Sequence, residues 1–202
     1  MQKPHSLIIL IFMLTLTACN SAYPTDMTFK KGAPQSLNCQ AADMPGMYLM
    51  VEDLSGARPN KGLTINVNEP KESGRYIKAT GRVEGWENRF MLTEPTETLP
   101  GFVLCQVVLF KSPQGAQEAL FWNNPNGMEV IQTDRQIGDE MLFTQAAFNA
   151  PDGSPWTDIR IEFTFHNLLG AVSTYAPENV ADADYALDLA ELMHQRMLEN
   201  TP

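Results

Sequence analysis

Alternation of apolar and polar residues is the clearest pattern in this chain. In the segment I159-R-I-E-F-T-F-H166 every odd-numbered residue is apolar and every even-numbered residue is polar. Side chains of a strand point alternately to its two faces, so the pattern predicts a strand with one buried and one solvated face. A tight turn at N167-L168 predicts a hairpin, with L169-G-A-V-S-T-Y175 as its second strand.

Further strands are predicted by a continuous apolar run and by weaker alternation. The segment F102-V-L-C-Q-V-V-L-F110 has Gln106 as its single polar residue, which predicts a central strand covered on both faces. Strict alternation over residues 63–68 predicts another strand with one buried face, and looser patterns predict strands at residues 75–83, 128–133 and 141–148.

Two segments have helical periodicity. Residues 112–122 begin with Ser112 as N-cap and Pro113 at the first helical position. Residues 181–198 carry acids in the first turn and bases near the end, as the helix dipole favours. The predicted inward stripes are Ala116, Ala119 and Leu120 in the first helix, and Ala186, Leu189, Ala190, Met193 and Met197 in the second.

These elements predict an α+β fold: an antiparallel sheet with a short middle helix and a long C-terminal helix packed on it. Over residues 74–198 the order of elements, with the motif I137-G-D139, is similar to the PsbP/Mog1-like group of exported bacterial domains, which includes mycobacterial sensor ectodomains. That group is functionally diverse, so the resemblance implies a fold and no catalytic residue.

The first twenty residues predict export. A charged start, M1-Q-K-P-H5, precedes the apolar run L7–L16, which is too short to span a membrane. The segment L16-T-A-C-N20 resembles the lipobox of bacterial lipoproteins, which implies cleavage before Cys19 and acylation of its thiol. The alternative is an ordinary signal peptide with an incidental cysteine. We therefore expect a signal peptide at 1–18, a lipid-anchored tether at 19–38 and a single domain at 39–202.

The predicted location is the bacterial envelope, with the protein held at the membrane by its N-terminal lipid and facing the periplasm or the cell surface. Asn20 favours the outer membrane, because aspartate at that position tends to retain lipoproteins in the inner membrane. The chain has 24 acidic and 14 basic residues, for a net charge of −10, and it has no basic cluster. This charge argues against a nucleic-acid partner and against electrostatic binding to anionic lipid.

Export also changes the interpretation of the two other cysteines. In an oxidising compartment Cys39 and Cys105 predict a disulfide that ties the N-terminal segment to the strand at 102–110. The alternative is a pair of buried free thiols, because a sequence does not reveal the spacing of the two Cα atoms.

Candidate chemistry is sparse. The chain lacks the common hydrolase, metalloprotease, P-loop and dinucleotide motifs, so we expect neither catalytic residues nor a cofactor. Met44, Met47 and Met50 are spaced by three and form a weak Cu(I) candidate, whose alternative is ordinary packing. Trp86, Trp122 and Trp156 are candidates for a cavity lining or for the core.

The functional hypothesis is therefore a non-enzymatic, membrane-anchored domain that binds an envelope protein or another envelope component. The alternative is a carrier or sensor of a small hydrophobic ligand, held between the sheet and a helix.

Overall fold

Eight strands form one antiparallel sheet in the computed structural model, which describes residues 29–65, 71–122 and 128–202. The strands are β1 (Tyr48–Met50), β2 (Gly56–Ala57), β3 (Arg82–Leu92), β4 (Phe102–Phe110), β5 (Glu129–Val130), β6 (Glu140–Asn149), β7 (Pro155–Phe165) and β8 (Leu168–Pro177). Their order across the sheet is β1-β3-β4-β8-β7-β6-β5, and β2 pairs with β3 outside this path. The predicted α+β class is confirmed.

Four α-helices accompany the sheet within the described residues: α1 (Ala33–Leu37), α2 (Glu72–Thr80), α3 (Pro113–Trp122) and α4 (Ala183–Glu199). The predicted starts of the two later helices are confirmed. The Ser112 hydroxyl accepts a hydrogen bond from the Gly115 backbone N–H at 3.2 Å, and Asp182 caps α4 by accepting from the Asp184 N–H at 2.9 Å.

One face of the sheet, here called the packed face, is covered by α1 and α4. The predicted inward residues of β7 (Ile159, Ile161, Phe163 and Phe165) all lie there, and each is at most 7% exposed. Met193 and Met197 of α4 are fully buried against them. The predicted inward stripe of the C-terminal helix is therefore confirmed.

The opposite face, here called the open face, is covered at one end by α3, with α2 packed against α3. Ala116, Ala119 and Leu120 form the buried stripe of α3, as predicted. The short middle helix and the long C-terminal helix thus lie on opposite sides of the sheet. The uncovered remainder of the open face carries the polar residues described below.

The predicted strand at residues 75–83 is wrong, because most of it is α2. Ser73, Tyr76 and Thr80 are buried and recur at helical spacing. Gly81 ends the helix with a φ of 66°, a left-handed conformation that glycine adopts readily, and β3 begins at the next residue.

Three other predicted boundaries differ from the structure. Residues 63–65 are outside any strand, and residues 66–68 of that predicted strand lie outside the described residues. The strand predicted at 128–133 is reduced to Glu129–Val130. The β7–β8 turn falls at His166–Asn167, one residue earlier than predicted, with His166 at a φ of 52°.

The predicted solvated face of β7 is also wrong over part of its length. Glu162 is 4% exposed and Thr164 is 1% exposed, because α3 packs over this end of the strand. The alternation correctly predicts which residues share a face, but both faces are covered here.

Core residues also occur before the predicted domain boundary at residue 39. Phe29 and Leu37 are buried in the core beneath the sheet. The Asn167 side chain makes two hydrogen bonds with the backbone of Phe29. It accepts one from the Phe29 N–H at 2.8 Å and donates the other to the Phe29 carbonyl oxygen at 3.1 Å. Residues 29–38 therefore belong to the domain rather than to a free tether.

The predicted disulfide between Cys39 and Cys105 is present. The two residues are fully buried, and their Cα atoms are 5.9 Å apart. The bond joins the N-terminal segment to β4, near the middle of the sheet, across 66 residues of sequence. In the chain-entropy model, closing a loop of this length contributes about 4 kcal/mol to stability.

Candidate functional site

A groove of about 950 Å³ lies on the open face of the sheet. The segment 57–65 borders it together with Glu72 of α2 and Trp122 of α3. Its floor consists of side chains from four central strands: β3, β4, β8 and β7. The sheet therefore presents a concave surface of a size typical of ligand sites.

Strand register arranges the floor of the groove in two rows. Direct cross-strand partners give a first row of Glu87, Gln106, Ala171 and Glu162, here called the acidic row. Two residues further along the strands lies a second row of Arg89, Leu104, Ser173 and Arg160, here called the arginine row. Opposite charges thus lie next to each other along β3 and β7.

Glu87 is the most heavily paired acid of the floor. Its carboxylate contacts Arg58 at 3.1 Å and also Arg89, and it accepts a hydrogen bond from the Gln106 amide at 3.4 Å. Only 8% of its side chain is exposed. Two guanidinium partners compensate this buried charge, as burial of a carboxylate requires.

Arg160 and Asp158 form a looser pair on β7. Their closest atoms, Arg160 Nη2 and Asp158 Oδ2, are 3.5 Å apart. Burial raises the pKa of Asp158 above its usual value, and Arg160 partly offsets that rise. Burial lowers the pKa of Arg160, but the charges of Glu162 and Asp158 outweigh this and raise it overall. Within the described part of the chain, the buried atoms Arg160 Nε and Asp158 Oδ1 have no hydrogen-bond partner.

An apolar row crosses the open face beyond the arginine row. Register places Leu49, Met91, Phe102 and Tyr175 side by side on four strands. Two more rings continue it: the Phe148 centroid is 6.3 Å from Tyr175 and 6.4 Å from Trp156. The name apolar row is used below for these six residues.

The apolar row is well exposed to solvent. Leu49 is 63% exposed, Met91 is 54% exposed and Phe148 is 41% exposed. Met47 and Met50 flank Leu49 and are exposed as well. The row and these neighbours hold five of the ten large apolar side chains that are exposed in the described residues.

The structure does not bring the three candidate methionines together. Met44 is buried, with its sulfur 3.8 Å from the Tyr185 hydroxyl. Met47 and Met50 lie at the edge strand β1, an odd number of residues apart, and so point to opposite faces of the sheet. The lipid-attachment candidate Cys19 lies outside the described residues.

The three tryptophans have three different surroundings. Trp122 lines the groove, Trp156 belongs to the apolar row, and the Trp86 indole donates to the Asn88 side chain at 2.9 Å. Of the histidines, His166 is in the β7–β8 turn, whereas His194 packs against Phe163 and Phe165 and burial lowers its pKa.

Sequence analysis missed the residues of the groove floor. Gln106 is the one polar residue of an apolar strand, which is the clearest available signal for a polar site there. Glu87 and Arg89 of β3 share one floor with Arg160 of β7 only because β4 pairs with β8, a strand distant in sequence. No sequence pattern shows that these residues share one surface.

The described residues contain no group of three or more His, Cys, Asp or Glu side chains arranged to hold a metal ion. In the same residues, no helix has both the length and the apolar character needed to cross a membrane.

No protein-family model and no curated protein sequence matches this chain. Among solved structures, it is similar to the extracellular domain of PknH from Mycobacterium tuberculosis. The two are 14% identical, with a TM-score of 0.48, and the match covers 86% of this chain and 99% of that one.

Proposed function

We propose that this protein is a lipid-anchored binding domain of the bacterial cell envelope, which docks a partner protein through the apolar row. The lipobox-like segment around Cys19 supports the anchor, and the buried Cys39–Cys105 bond supports an oxidising compartment. The apolar row is the observation that carries the docking function.

Exposed apolar side chains that gather in one place are typical of protein interfaces, whereas scattered ones need no explanation. Here Leu49 and Met91 lie side by side, and Phe102 and Tyr175 connect them across the sheet to Phe148. Aromatic anchors and flexible methionines are both enriched at such surfaces. Met47 and Met91 would let this surface adapt to the shape of a partner.

The position of the row favours a partner over the bilayer. Phe29, from which the chain continues towards Cys19, packs against Phe165 at the turn end of β7. The apolar row crosses the same strand beside Asp158, seven residues away, which corresponds to about 23 Å along a strand. The described part of the chain therefore begins at the end of the sheet opposite the apolar row.

The same geometry favours a docking function over the carrier alternative. The space between the sheet and α4 is filled by Phe163, Met193 and Met197, each fully buried. The groove on the other face has a floor of charged and amide side chains. A small hydrophobic ligand would leave these polar groups without partners at a cost in binding free energy.

Site-specific photo-crosslinking in intact cells tests this function. A photo-reactive amino acid replaces Leu49 in one variant and, as the matched control, the exposed Leu192 of α4 in another. We expect position 49 alone to yield a defined protein adduct, and the added substitution Met91→Ser to abolish it. Identical adducts from both positions, or none from position 49, would overturn the proposal.

A further inference from the structure

We propose that the groove on the open face binds a neutral glycan segment. The site is separate from docking through the apolar row, although Tyr175 lies at the border of both. The inference rests on the charge of the groove, on the chemistry of its lining and on an unpaired buried donor of Arg160 in its floor.

The local charge of the groove is balanced in an otherwise acidic protein. Four cationic side chains line it (Arg58, Lys61, Arg89 and Arg160) against three anionic ones (Glu72, Glu87 and Glu162). Asp158, paired with Arg160, supplies a fourth negative charge. The chain's overall charge of −10 repels an anionic ligand, and the four bases of the groove repel a cationic ligand. A neutral ligand meets neither repulsion.

The lining combines planar polar groups with aromatic rings. Arginine can donate two parallel hydrogen bonds, glutamate can accept two, and glutamine can donate one and accept one, which suits a pair of adjacent hydroxyl groups. Trp122 and Tyr175 add ring surface, against which the C–H face of a sugar can pack. A sugar presents both kinds of surface.

Arg160, a residue of the floor, has an unpaired buried donor. Its Nε has no hydrogen-bond partner in the described residues, and neither has Oδ1 of its neighbour Asp158. Unpaired buried polar groups are rare in folded proteins because they are costly. The Arg160 side chain lines the groove and is 29% exposed, so a small rotation of its guanidinium would let a sugar hydroxyl accept a hydrogen bond from Nε.

A peptide fits the floor less well. Extended peptides are commonly held by main-chain hydrogen bonds to a free sheet edge. The four floor strands, β3, β4, β8 and β7, are each paired on both sides, so the floor offers side chains only. Its polar character likewise does not suit the apolar face of an amphipathic helix.

Titration of the isotopically labelled protein, followed by NMR, tests the assignment. The probes are the neutral tetrasaccharides chitotetraose and maltotetraose, the anionic tetragalacturonate, and tetra-alanine. We expect at least one neutral sugar to shift the Arg160 Nε–H and Trp122 indole signals while leaving the Trp86 indole signal in place. The two neutral probes distinguish an N-acetylated glycan from an unmodified one.

Two variants and one control locate the binding site. Arg160→Lys keeps the charge but removes the Nε donor, and we expect it to weaken sugar binding about tenfold. Arg135→Lys is the matched control, since Arg135 pairs with Asp188 and Glu191 outside the groove and should bind as wild type does. Tyr175→Phe, which removes only a hydroxyl group, should also weaken binding. It replaces Arg160→Lys as the test of the groove if that variant fails to fold.

Several results would overturn the inference. They are no shift from either neutral sugar, shifts from tetragalacturonate or tetra-alanine alone, or sugar binding that both groove variants leave unchanged. None of them bears on docking through the apolar row, which is tested independently at Leu49.

Discussion

Glu162 illustrates at the residue scale what alternation can and cannot predict. The sequence places it correctly on the face of β7 opposite Phe163, but a hydrophobic pattern does not show what covers a polar face. In the structure α3 covers it, and the residue is 4% exposed. Its charge lies beside Arg160, whose pKa it helps to raise.

We therefore expect Glu162→Lys to lower the free energy of unfolding by about 3 kcal/mol or more, because it buries a positive charge beside Arg160. Glu118→Lys on the exposed side of α3 is the matched control, with an expected change within about 0.5 kcal/mol. Urea unfolding of both variants measures the difference. Equal midpoints would mean that Glu162 is solvated, as the alternation alone predicts.

At the scale of elements, success followed the strength of the local signal. β4, β7, α3 and α4 have continuous periodicity or clear caps, and their predicted positions agree closely with the structure. α2 was predicted as a strand because its buried stripe includes polar residues, Ser73 and Thr80, and so shows no apolar period. That stripe is buried mainly through contact with α3, which lies about 40 residues away in the sequence.

The close contact between α2 and α3 depends on Gly115. A Cβ atom at this position would overlap the carbonyl oxygen of Thr80. We expect Gly115→Ala to destabilise the domain by about 1–3 kcal/mol through overpacking, although alanine is the better helix former. Gly74→Ala in α2, where a Cβ meets no atom within 4 Å, should instead stabilise it by up to about 1 kcal/mol. Thermal unfolding of the two variants should give shifts of opposite sign, and shifts of the same sign would contradict this account of the contact.

At the scale of the whole molecule, the candidate sites depend on strand order, which a sequence does not contain. The acidic row joins Glu87, Gln106 and Glu162 only because β8 lies between β4 and β7. The apolar row depends likewise on β1 pairing with the far end of β3. Apart from Gln106 in its apolar strand, neither row has a local sequence signal, and both follow directly once the register is known.

The proposed lipid anchor is Cys19, near the start of the chain. An experiment that tests it also distinguishes the roles of the three cysteines. Cys39 and Cys105 are joined to each other, which leaves Cys19 as the one cysteine available for acylation. Each buried CH₂ group of an acyl chain contributes about 0.8 kcal/mol, so two or three chains hold a protein stably at a membrane. We expect Cys19→Ser to abolish metabolic labelling with a fatty acid and to remove the protein from the detergent phase of a phase partition.

The matched control for the anchor is the double variant Cys39→Ala with Cys105→Ala. It removes the disulfide and should lower the thermal stability, while the fatty-acid label remains because Cys19 is intact. Loss of the label in this control, or unchanged labelling and membrane retention in Cys19→Ser, would contradict the lipobox interpretation. In the second case the burial of the Cys39–Cys105 bond would still stand, but the apolar row would have to reach its partner without a lipid anchor.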